Sequence, residues 1–360
     1  MGGSNLRLLN YLLPMMRSRF VTHRPFFLAH AITYGCNSKC KTCTFWQTAH
    51  NMREDMSTEE VYDLLDEAYD YGMRCYYLFG GEPLVRRDIE EVVRYAKKKG
   101  FMTVINTNGS LIEKKDALWE DMDFAFISLD YFDGFHDFIR GRSGSFKEVV
   151  NGIKRLKELG KTKVTIVSTI STLNFGAIEE MAKFAQELGV GISYNSVEIK
   201  DQFYSAFENT IPSNLGGIKT VSPVNEYGLS DEKLHVFYET ILRLKREGYP
   251  LMETEVALKD YAEGKPWTCH FPKIFVYVSP NKKIYDCTCH YTYDLRNGGS
   301  FRDYFSSSLY KEHVKDAEGC NLCVRTCVRM YSYTYILKPS NFVSLYKDIG
   351  LLMNQRPRRL

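Results

Sequence analysis

Apolar residues recur along this chain at two alternating spacings. Short, nearly continuous apolar runs at 27–33 (FLAHAIT), 74–79 (RCYYLF), 101–106 (FMTVIN), 124–129 (FAFISL), 163–170 (KVTIVSTI) and 190–196 (VGISYNS) predict β-strands. Between them, residues near 57–71, 88–99, 113–119, 145–159 and 175–188 place apolar positions at helical spacing. Asp88 is the expected N-cap of the second helix and Gly100 its end; the fourth starts near Ser145 and ends at Gly160. Six strand–helix alternations predict parallel βαβ units, whose right-handed crossovers curl the sheet. Six units fall short of the eight that close a full barrel. The expected fold is therefore α/β, a partial (β/α)6 barrel with an open side.

Outside that repeat the pattern changes. Residues 5–20 (NLRLLNYLLPMMRSRF) carry Leu9, Leu12, Leu13, Met16 and Phe20 at helical spacing, interrupted by Pro14 and flanked by Arg7, Arg17 and Arg19. Residues 200–229 are irregular and rich in Asn, Ser, Pro and Gly, which fits either a lid or a surface excursion. A helix is expected at 231–247. Two short apolar runs, KIFVYVS and KKIYDC, then meet at Pro280-Asn281 as a hairpin. Near the end, Phe342, Leu345, Tyr346, Ile349, Leu352 and Met353 share one helical face before a basic RPRRL tail. The expected organisation is an amphipathic segment at 1–25, the barrel at 26–230, a connecting helix at 231–264, a cysteine-rich extension at 265–330 and an amphipathic tail at 331–360.

Composition narrows the function classes. Of 360 residues, 44% are hydrophobic and 25% charged, the balance of a soluble globular chain. A net charge of +3 gives no reason to expect a nucleic-acid partner. No run approaches the roughly 18–20 apolar residues of a membrane-spanning helix. The N-terminus lacks a convincing secretory cleavage site, so a cytoplasmic location is expected. In a reducing cytosol the ten cysteines need a reason other than disulfides. They fall at 36–43, at 75, and between 269 and 327, and such grouping argues for metal. Cys75, inside an apolar run, reads as core.

The run Gly35-Cys36-Asn37-Ser38-Lys39-Cys40-Lys41-Thr42-Cys43 follows the first strand and spaces its thiols C-x3-C-x2-C. Three thiolates on one loop can hold three corners of a cubane iron–sulfur cluster and leave the fourth iron open to a ligand. The alternative, structural zinc, needs a fourth ligand that His30 or His50 would have to supply.

This motif resembles the signature of the radical S-adenosylmethionine (SAM) superfamily. The resemblance implies a [4Fe–4S] cluster on Cys36, Cys40 and Cys43, with SAM on the open iron as source of a 5′-deoxyadenosyl radical. Gly80-Gly81-Glu82-Pro83, after the second strand, resembles the family's GGEP element. There, glycine backbone approaches the methionine end of SAM and the acid holds its ammonium. Asn106-Thr107-Asn108-Gly109 is similar to the TNG element, and Ser128-Leu129-Asp130 ends the fourth strand where polar groups meet SAM. Arg140-Gly141 with Gly144-Ser145-Phe146 resembles an RG-x-x-GSF stretch. The implied cofactor-binding residues are Gly80, Gly81, Glu82, Pro83, Asn106, Asn108, Ser128, Asp130 and Arg140. The family usually places an aromatic residue before the third cysteine; here it is Thr42. His136 is expected to serve structure or the SAM surroundings. Glu198 reads equally as a residue facing the barrel mouth or as a cap.

In the second group, Cys269 and Cys287 are widely spaced and Cys320 and Cys323 form a C-x2-C pair. This resembles the SPASM/twitch extensions of radical SAM enzymes, the smaller twitch type more closely. It implies one auxiliary [4Fe–4S] cluster on Cys269, Cys287, Cys320 and Cys323, with Cys289 and Cys327 as substitutes. Four thiolates suit zinc as well.

For the substrate, the amphipathic ends and a 14% aromatic content lean toward a lipid or other hydrophobic molecule. The stretch RPFFLAHAITYGCNSKCKTCTFW resembles, more loosely, radical SAM enzymes that modify isoprenoid lipids. The expectation is therefore C–H activation on a membrane lipid chain, with C–C bond formation as one outcome and peripheral contact with the inner face of the membrane. A reductant such as ferredoxin or flavodoxin is implied. A peptide-modifying maturase and a non-catalytic iron–sulfur carrier or scaffold are the competing readings. No catalytic side chain beyond the cofactor site is named by the sequence.

Overall fold

In the computed structural model of the chain, residues 14–197, 226–285, 292–320 and 330–332 are described. The segments 1–13 and 333–360, which hold most of both amphipathic ends, lie outside them. So do Glu198, nearly all of the irregular 200–229 stretch, and Cys287, Cys289, Cys323 and Cys327.

The six expected strands are present as β1 (Phe27–Ala31), β2 (Cys75–Phe79), β3 (Met102–Thr107), β4 (Phe124–Ser128), β5 (Lys163–Ile170) and β6 (Gly191–Ser196). They pair in parallel, each with its sequence neighbour. Three more strands, β7 (Phe275–Val278), β8 (Lys283–Tyr285) and β9 (Thr292–Asp294), complete the order β6-β5-β4-β3-β2-β1-β7-β8-β9. β7 runs parallel to β1 with Phe27 opposite Phe275, and the hairpin turns antiparallel only at β8. The architecture is α/β, with the sequential parallel order of a partial barrel.

Helices cover one face of the sheet. They include α1 (Thr58–Tyr71), α2 (Ile89–Lys99), α3 (Asp116–Trp119), α4 (Phe135–Arg140), α5 (Ser145–Leu159) and α6 (Ile178–Leu188). α7 (Asp231–Arg246), α8 (Glu255–Ala262), α9 (Phe301–Ser306) and α10 (Ser308–Gly319) follow. α1 starts in a capping box, Ser57 accepting from the Glu60 N–H while Glu60 reaches back. α2 stops at Gly100, whose φ of 106° is open to glycine. Asp88 occupies the N-cap position of α2 as expected, but its carboxylate makes no capping bond: it accepts from Thr58 Oγ1 at 2.6 Å and pairs with Arg86 at 2.7 Å. The helix expected at 113–119 is broken by Lys115 into a turn, Ile112–Lys114, and the single turn α3.

Alternation along the strands divides the core. Leu28, Leu78, Ile105, Ile127, Ile166 and Ile192 bury beneath helix residues such as Val61, Val92, Ile153 and Met181. The inner face carries Phe27, Ala29, Cys75 and Val104, joined by Phe271 and Phe275, with Tyr77, Phe79, Phe126 and Tyr277 partly buried beside them. Cys75 is fully buried there, the core role expected of it. Phe27 stacks on Phe275 at 4.2 Å, which ties the C-terminal hairpin to the first strand.

Candidate active site

The three-cysteine loop leaves the C-terminal end of β1 and is gripped from three sides. On the first, Gly81 N–H donates to Thr33 O at 3.0 Å and Glu82 N–H to Gly35 O at 2.7 Å. A Cβ on Gly81 would collide with the Gly35 carbonyl, and one on Gly80 would come within 2.9 Å of Thr33 O. The two glycines thus let the turn after β2 lie directly on the backbone that enters Cys36.

Glu82 is 1% exposed. Its Oε1 accepts from Thr107 Oγ1 at 2.6 Å and Leu84 N–H at 3.0 Å, and its Oε2 from Asn108 N–H at 2.6 Å. Burial pushes its carboxyl up, against the pull of these donors. Pro83 opens the short turn Pro83–Val85 that follows.

On the second side stands the end of β3. Asn108 Nδ2 donates to Asn37 Oδ1 at 2.7 Å and Ser38 Oγ at 3.2 Å, while Asn37 Nδ2 donates to Ser110 Oγ at 2.9 Å. Asn108 Oδ1 accepts from Ser110 in turn. Asn37, Ser38 and Ser110 were not singled out from the sequence, because only the fold brings them to Asn108. Asn106, two residues back on the inner face, has a buried Oδ1 with no partner among the described residues. Ser128 ends β4, half-buried, opposite Val167.

The third side is α4. Lys39 N–H donates to Arg140 O at 3.2 Å and Lys41 N–H to Ile139 O at 2.9 Å. Gly141, at φ 59°, lies so close to the Lys39 carbonyl that a Cβ would overlap it. Arg140 Nε lies 2.7 Å from Oδ2 of the fully buried Asp130, and its Nη1 stands 3.9 Å from Cys40 Sγ. Asp130 Oδ1 accepts from Thr169 N–H at 2.8 Å, and Asn174 Nδ2 donates to Asp130 O at 2.8 Å. His136 is buried beneath: its Nδ1 accepts from Asp130 N–H at 3.1 Å, and burial lowers it to about 3, so the ring is neutral. Its Nε2 lies 3.4 Å from Ser145 Oγ, so the ring joins the Asp130 backbone to the start of α5.

Burial pushes Cys36 up to about 12 and Cys43 up to about 11, and raises Cys40 as well. Neighbouring sulfurs add to the rise at Cys36 and Cys43, and the Asp130 carboxylate adds to it at Cys40. The Ser38 N–H on Cys36, the Phe45 and Trp46 N–H groups on Cys43, and Arg140 at Cys40 act in the opposite sense. Such thiols stay protonated on their own and ionise when they bind metal. Among the described residues no three His, Cys, Asp or Glu side chains converge as ligands of a single ion. The zinc alternative loses its fourth ligand: His30 lies on the helix-covered side of β1, bonded to Tyr76 at 2.8 Å, and His50 is exposed. Three thiols on one loop, each with donors near its sulfur, fit a cluster that distributes its ligands over three irons.

In the C-terminal part the described residues bring Cys269 and Cys320 together. Cys269, 5% exposed, is pushed up to about 11 by burial, with the Cys320 sulfur adding to it. Cys287 and Cys323, the other two expected ligands, fall outside the described residues.

Comparison with known proteins places this geometry in context. The sequence model described as the Radical SAM superfamily matches residues 31–185. The Fe-coproporphyrin III synthase of Methanosarcina barkeri is 33% identical over 159 residues, 43% of this chain and 40% of that protein. The AdoMet-dependent heme synthase of the same organism is 31% identical over 175 residues, 47% of this chain and 49% of the relative. The subtilosin biosynthesis protein AlbA of Bacillus subtilis is 29% identical over 180 residues, 48% of this chain and 40% of AlbA. The chain thus spans less than half the length of these curated relatives. Among solved structures, Streptococcus suis SuiB bound to S-adenosylmethionine superposes with a TM-score of 0.61 at 15% identity, over 86% of this chain and 72% of SuiB. Native anSMEcpe with bound AdoMet gives 0.60 at 15% identity, over 92% of this chain and 99% of that one.

Proposed function

Residues 31–185 form a radical SAM domain, and on that premise we propose that the whole chain is an enzyme that activates an unreactive C–H bond of a peptide. A bound [4Fe–4S] cluster with SAM would supply one-electron chemistry able to break C–H bonds too weakly acidic for ordinary base catalysis. The chain's own residues do the rest. Cys36, Cys40 and Cys43 would hold the cluster. Arg140 keeps a positive charge beside Cys40, and Asp130 fixes Arg140. Gly80, Gly81, Glu82, Pro83 and Asn108 shape the wall of the SAM site, and Asn106 and Ser128 offer polar atoms from the inner face. Tyr77, Phe79 and Phe126 line that face with apolar surface, which excludes water from a radical.

The observation that carries the reading is the grip on the cysteine loop, in which elements following β2, β3 and β4 all bond to it. For the substrate class, support comes from the likeness to AlbA, a biosynthesis protein of the bacteriocin subtilosin. The lipid expectation finds no support in the relatives described above. No helix among the described residues is long and apolar enough to cross a membrane, and peripheral membrane contact has no support either. In this reading the region 265–330 carries an auxiliary cluster, with Cys269 and Cys320 as two of its ligands, and a ferredoxin or flavodoxin supplies electrons.

The test uses anaerobically prepared protein, assayed for iron, sulfide and 5′-deoxyadenosine release after dithionite reduction, with peptides or isoprenoid lipid extracts added. About eight irons per chain, SAM cleavage and deuterium transfer from labelled peptide are expected. Transfer from lipid alone would reverse the substrate assignment. Cluster-replete protein that never cleaves SAM would reject the enzyme reading.

A further inference from the structure

Thr33, Tyr34 and Gly35, which lead into Cys36, are held on a fourth side as well. Asp55 Oδ2 accepts from Thr33 Oγ1 at 2.6 Å, and its Oδ1 accepts from Tyr34 N–H at 3.0 Å. Thr33 Oγ1 accepts in turn from Gly35 N–H at 3.0 Å. One carboxylate thus fixes two of these residues directly and the third through a single hydroxyl. On the opposite flank Gly81 and Glu82 N–H groups take the carbonyls of Thr33 and Gly35, so the entry to the cysteine loop is pinned from both sides.

The same aspartate closes the far end of the loop. Beyond Cys43 the chain winds through a short helical segment, Phe45–Glu54, and Asp55 N–H donates to Met52 O at 3.2 Å where that segment ends. Met52 lies across Gly35: a Cβ on that glycine would come within 2.8 Å of its sulfur. Entry and exit therefore meet at Asp55, with all three cysteines between them. Thr33 and Asp55 stand 22 residues apart in the chain, so the bonds at this neck offset the entropy of closing a long loop.

Behind the neck stands the turn between β7 and β8. Met56 N–H donates to Pro280 O at 2.8 Å, Asn281 Nδ2 to Glu54 Oε2 at 3.3 Å and Arg296 Nη2 to Glu54 O at 3.2 Å. The turn is stiffened by Ser279 Oγ, which donates to Asn281 Oδ1 at 2.6 Å and accepts from Lys283 N–H at 3.0 Å. Both neighbours of Asp55 are moored to this turn, which gives the carboxylate a fixed base. We propose that Asp55 is a positioning residue of the cofactor site. Acting through Thr33, Tyr34 and Gly35, it sets where Cys36 presents its thiolate to the cluster, and so how tightly SAM is held there. This rests on the enzyme reading above.

The test compares full-length wild type with Asp55→Ala, Asp55→Asn and Thr33→Val. Asparagine can still accept from Tyr34 N–H and donate to Thr33 Oγ1; alanine does neither, and valine removes only the hydroxyl bridge. In the cluster-free chain, deuterium exchange at the Tyr34 amide should quicken about tenfold in Asp55→Ala, equivalent to roughly 1.4 kcal/mol of local protection. Thr33→Val should speed the Gly35 amide instead, and Asp55→Asn should stay near wild type. In the cluster-loaded chain, the change that SAM makes in the electron paramagnetic resonance spectrum should need about tenfold more SAM in Asp55→Ala, with KM for SAM raised and kcat within about threefold. Should the alanine variant not fold, Thr33→Val, of unchanged volume, should show the same shift in SAM. A lower urea midpoint with unchanged exchange and unchanged SAM response would overturn the proposal, leaving Asp55 a role in the fold alone. Asp55→Asn as damaging as Asp55→Ala would overturn it too, by making charge and not the two bonds the working part. Wild type whose spectrum ignores SAM would reject the enzyme reading instead, and the exchange comparison would still decide whether Asp55 clasps the loop.

Discussion

Around Cys36–Cys43 the chain is bonded through its backbone to the segments after β2 and β4 and through Asn108 to the end of β3. A buried ion pair stands behind it. Around Cys269 and Cys320 the ties are of another kind. β7 is integral to the sheet, but Cys269 lies upstream of it and Cys320 hangs from the end of α10. Among the described residues the ties near them include the His270 N–H on Ser332 Oγ at 3.1 Å, a half-exposed ion pair between Lys273 and Glu318, and the packing of Cys269 and Ala317 in the inner-face core. Partly exposed pairs of that sort contribute little. The first region is thus made by the strand ends and their backbone bonds, whereas the second meets the sheet through side-chain packing.

The largest contrast is chemical. Cys40→Ala should remove the iron of the first site and abolish SAM cleavage. Cys320→Ala should leave cleavage within about tenfold of wild type, since it acts at most from outside the SAM site. Iron content and 5′-deoxyadenosine release measure both. Equal loss in the two variants would erase the distinction between the regions.

A steric version of the same contrast uses two glycines of similar backbone. Gly141, at φ 59°, has the Lys39 carbonyl where a Cβ would go; Gly264, at φ 61°, faces open space. Both alanines pay for the left-handed conformation, about 1 kcal/mol. Only Gly141→Ala must also push the cysteine loop away, for a total of about 4 kcal/mol or more. Urea denaturation of the two variants should separate them by several kcal/mol, and similar midpoints would show that the loop yields easily.

Removing the buried charge comes next. Arg140→Gln leaves Asp130, fully buried, without its cation, which should cost about 3 kcal/mol. Adding Asp130→Asn should recover much of that loss in urea melts. A double variant no better than the single would mean that Arg140 stabilises the fold through Cys40 and not through Asp130.

Much of this frame was legible in the sequence, and what was not has physical reasons. The strands are buried on the helix-covered face and carry mostly apolar, partly buried residues on the inner one, so they read as nearly unbroken apolar runs, which is why all six fell near their observed places. Helices ending at Gly100 and Gly160 declare themselves through left-handed glycines. By contrast, α4 is six residues long between Gly134 and Gly141, too short to show a periodicity. Asp88 has the residue type of a cap, but Arg86 and Thr58 claim its carboxylate, and their proximity is tertiary. KIFVYVS reads as a strand, yet nothing local tells that it pairs with β1. Cys36, Asn108, Asp130 and Arg140 were each identified by motif, while the bonds that join them, and the part played by Asn37 and Ser110, exist only once the strand ends are side by side.

The smallest effect is the response of the first region to acid. His30 and His136 are both buried and neutral, each lowered from an ordinary 6.5 to about 3, chiefly by burial. Because the folded values lie below the unfolded one, the unfolded chain takes up these protons first. The stability they confer is therefore present above about pH 6.5 and is lost as pH falls from there toward 3. At pH 5 the loss is about 2 kcal/mol for each histidine. Glu82 and Glu253, whose buried carboxyls are raised, work in the opposite sense as the medium becomes acidic, so the histidine contribution must be isolated by substitution. Urea melts at pH 7.5 and 5.0 should show wild type losing more stability than His136→Gln, by about one histidine's share. An equal pH slope in the two would mean that His136 takes up its proton without unfolding. Since Asp130 N–H is bonded to His136 Nδ1, protonation there would break the support of the Arg140 pair and loosen the Cys36–Cys43 loop.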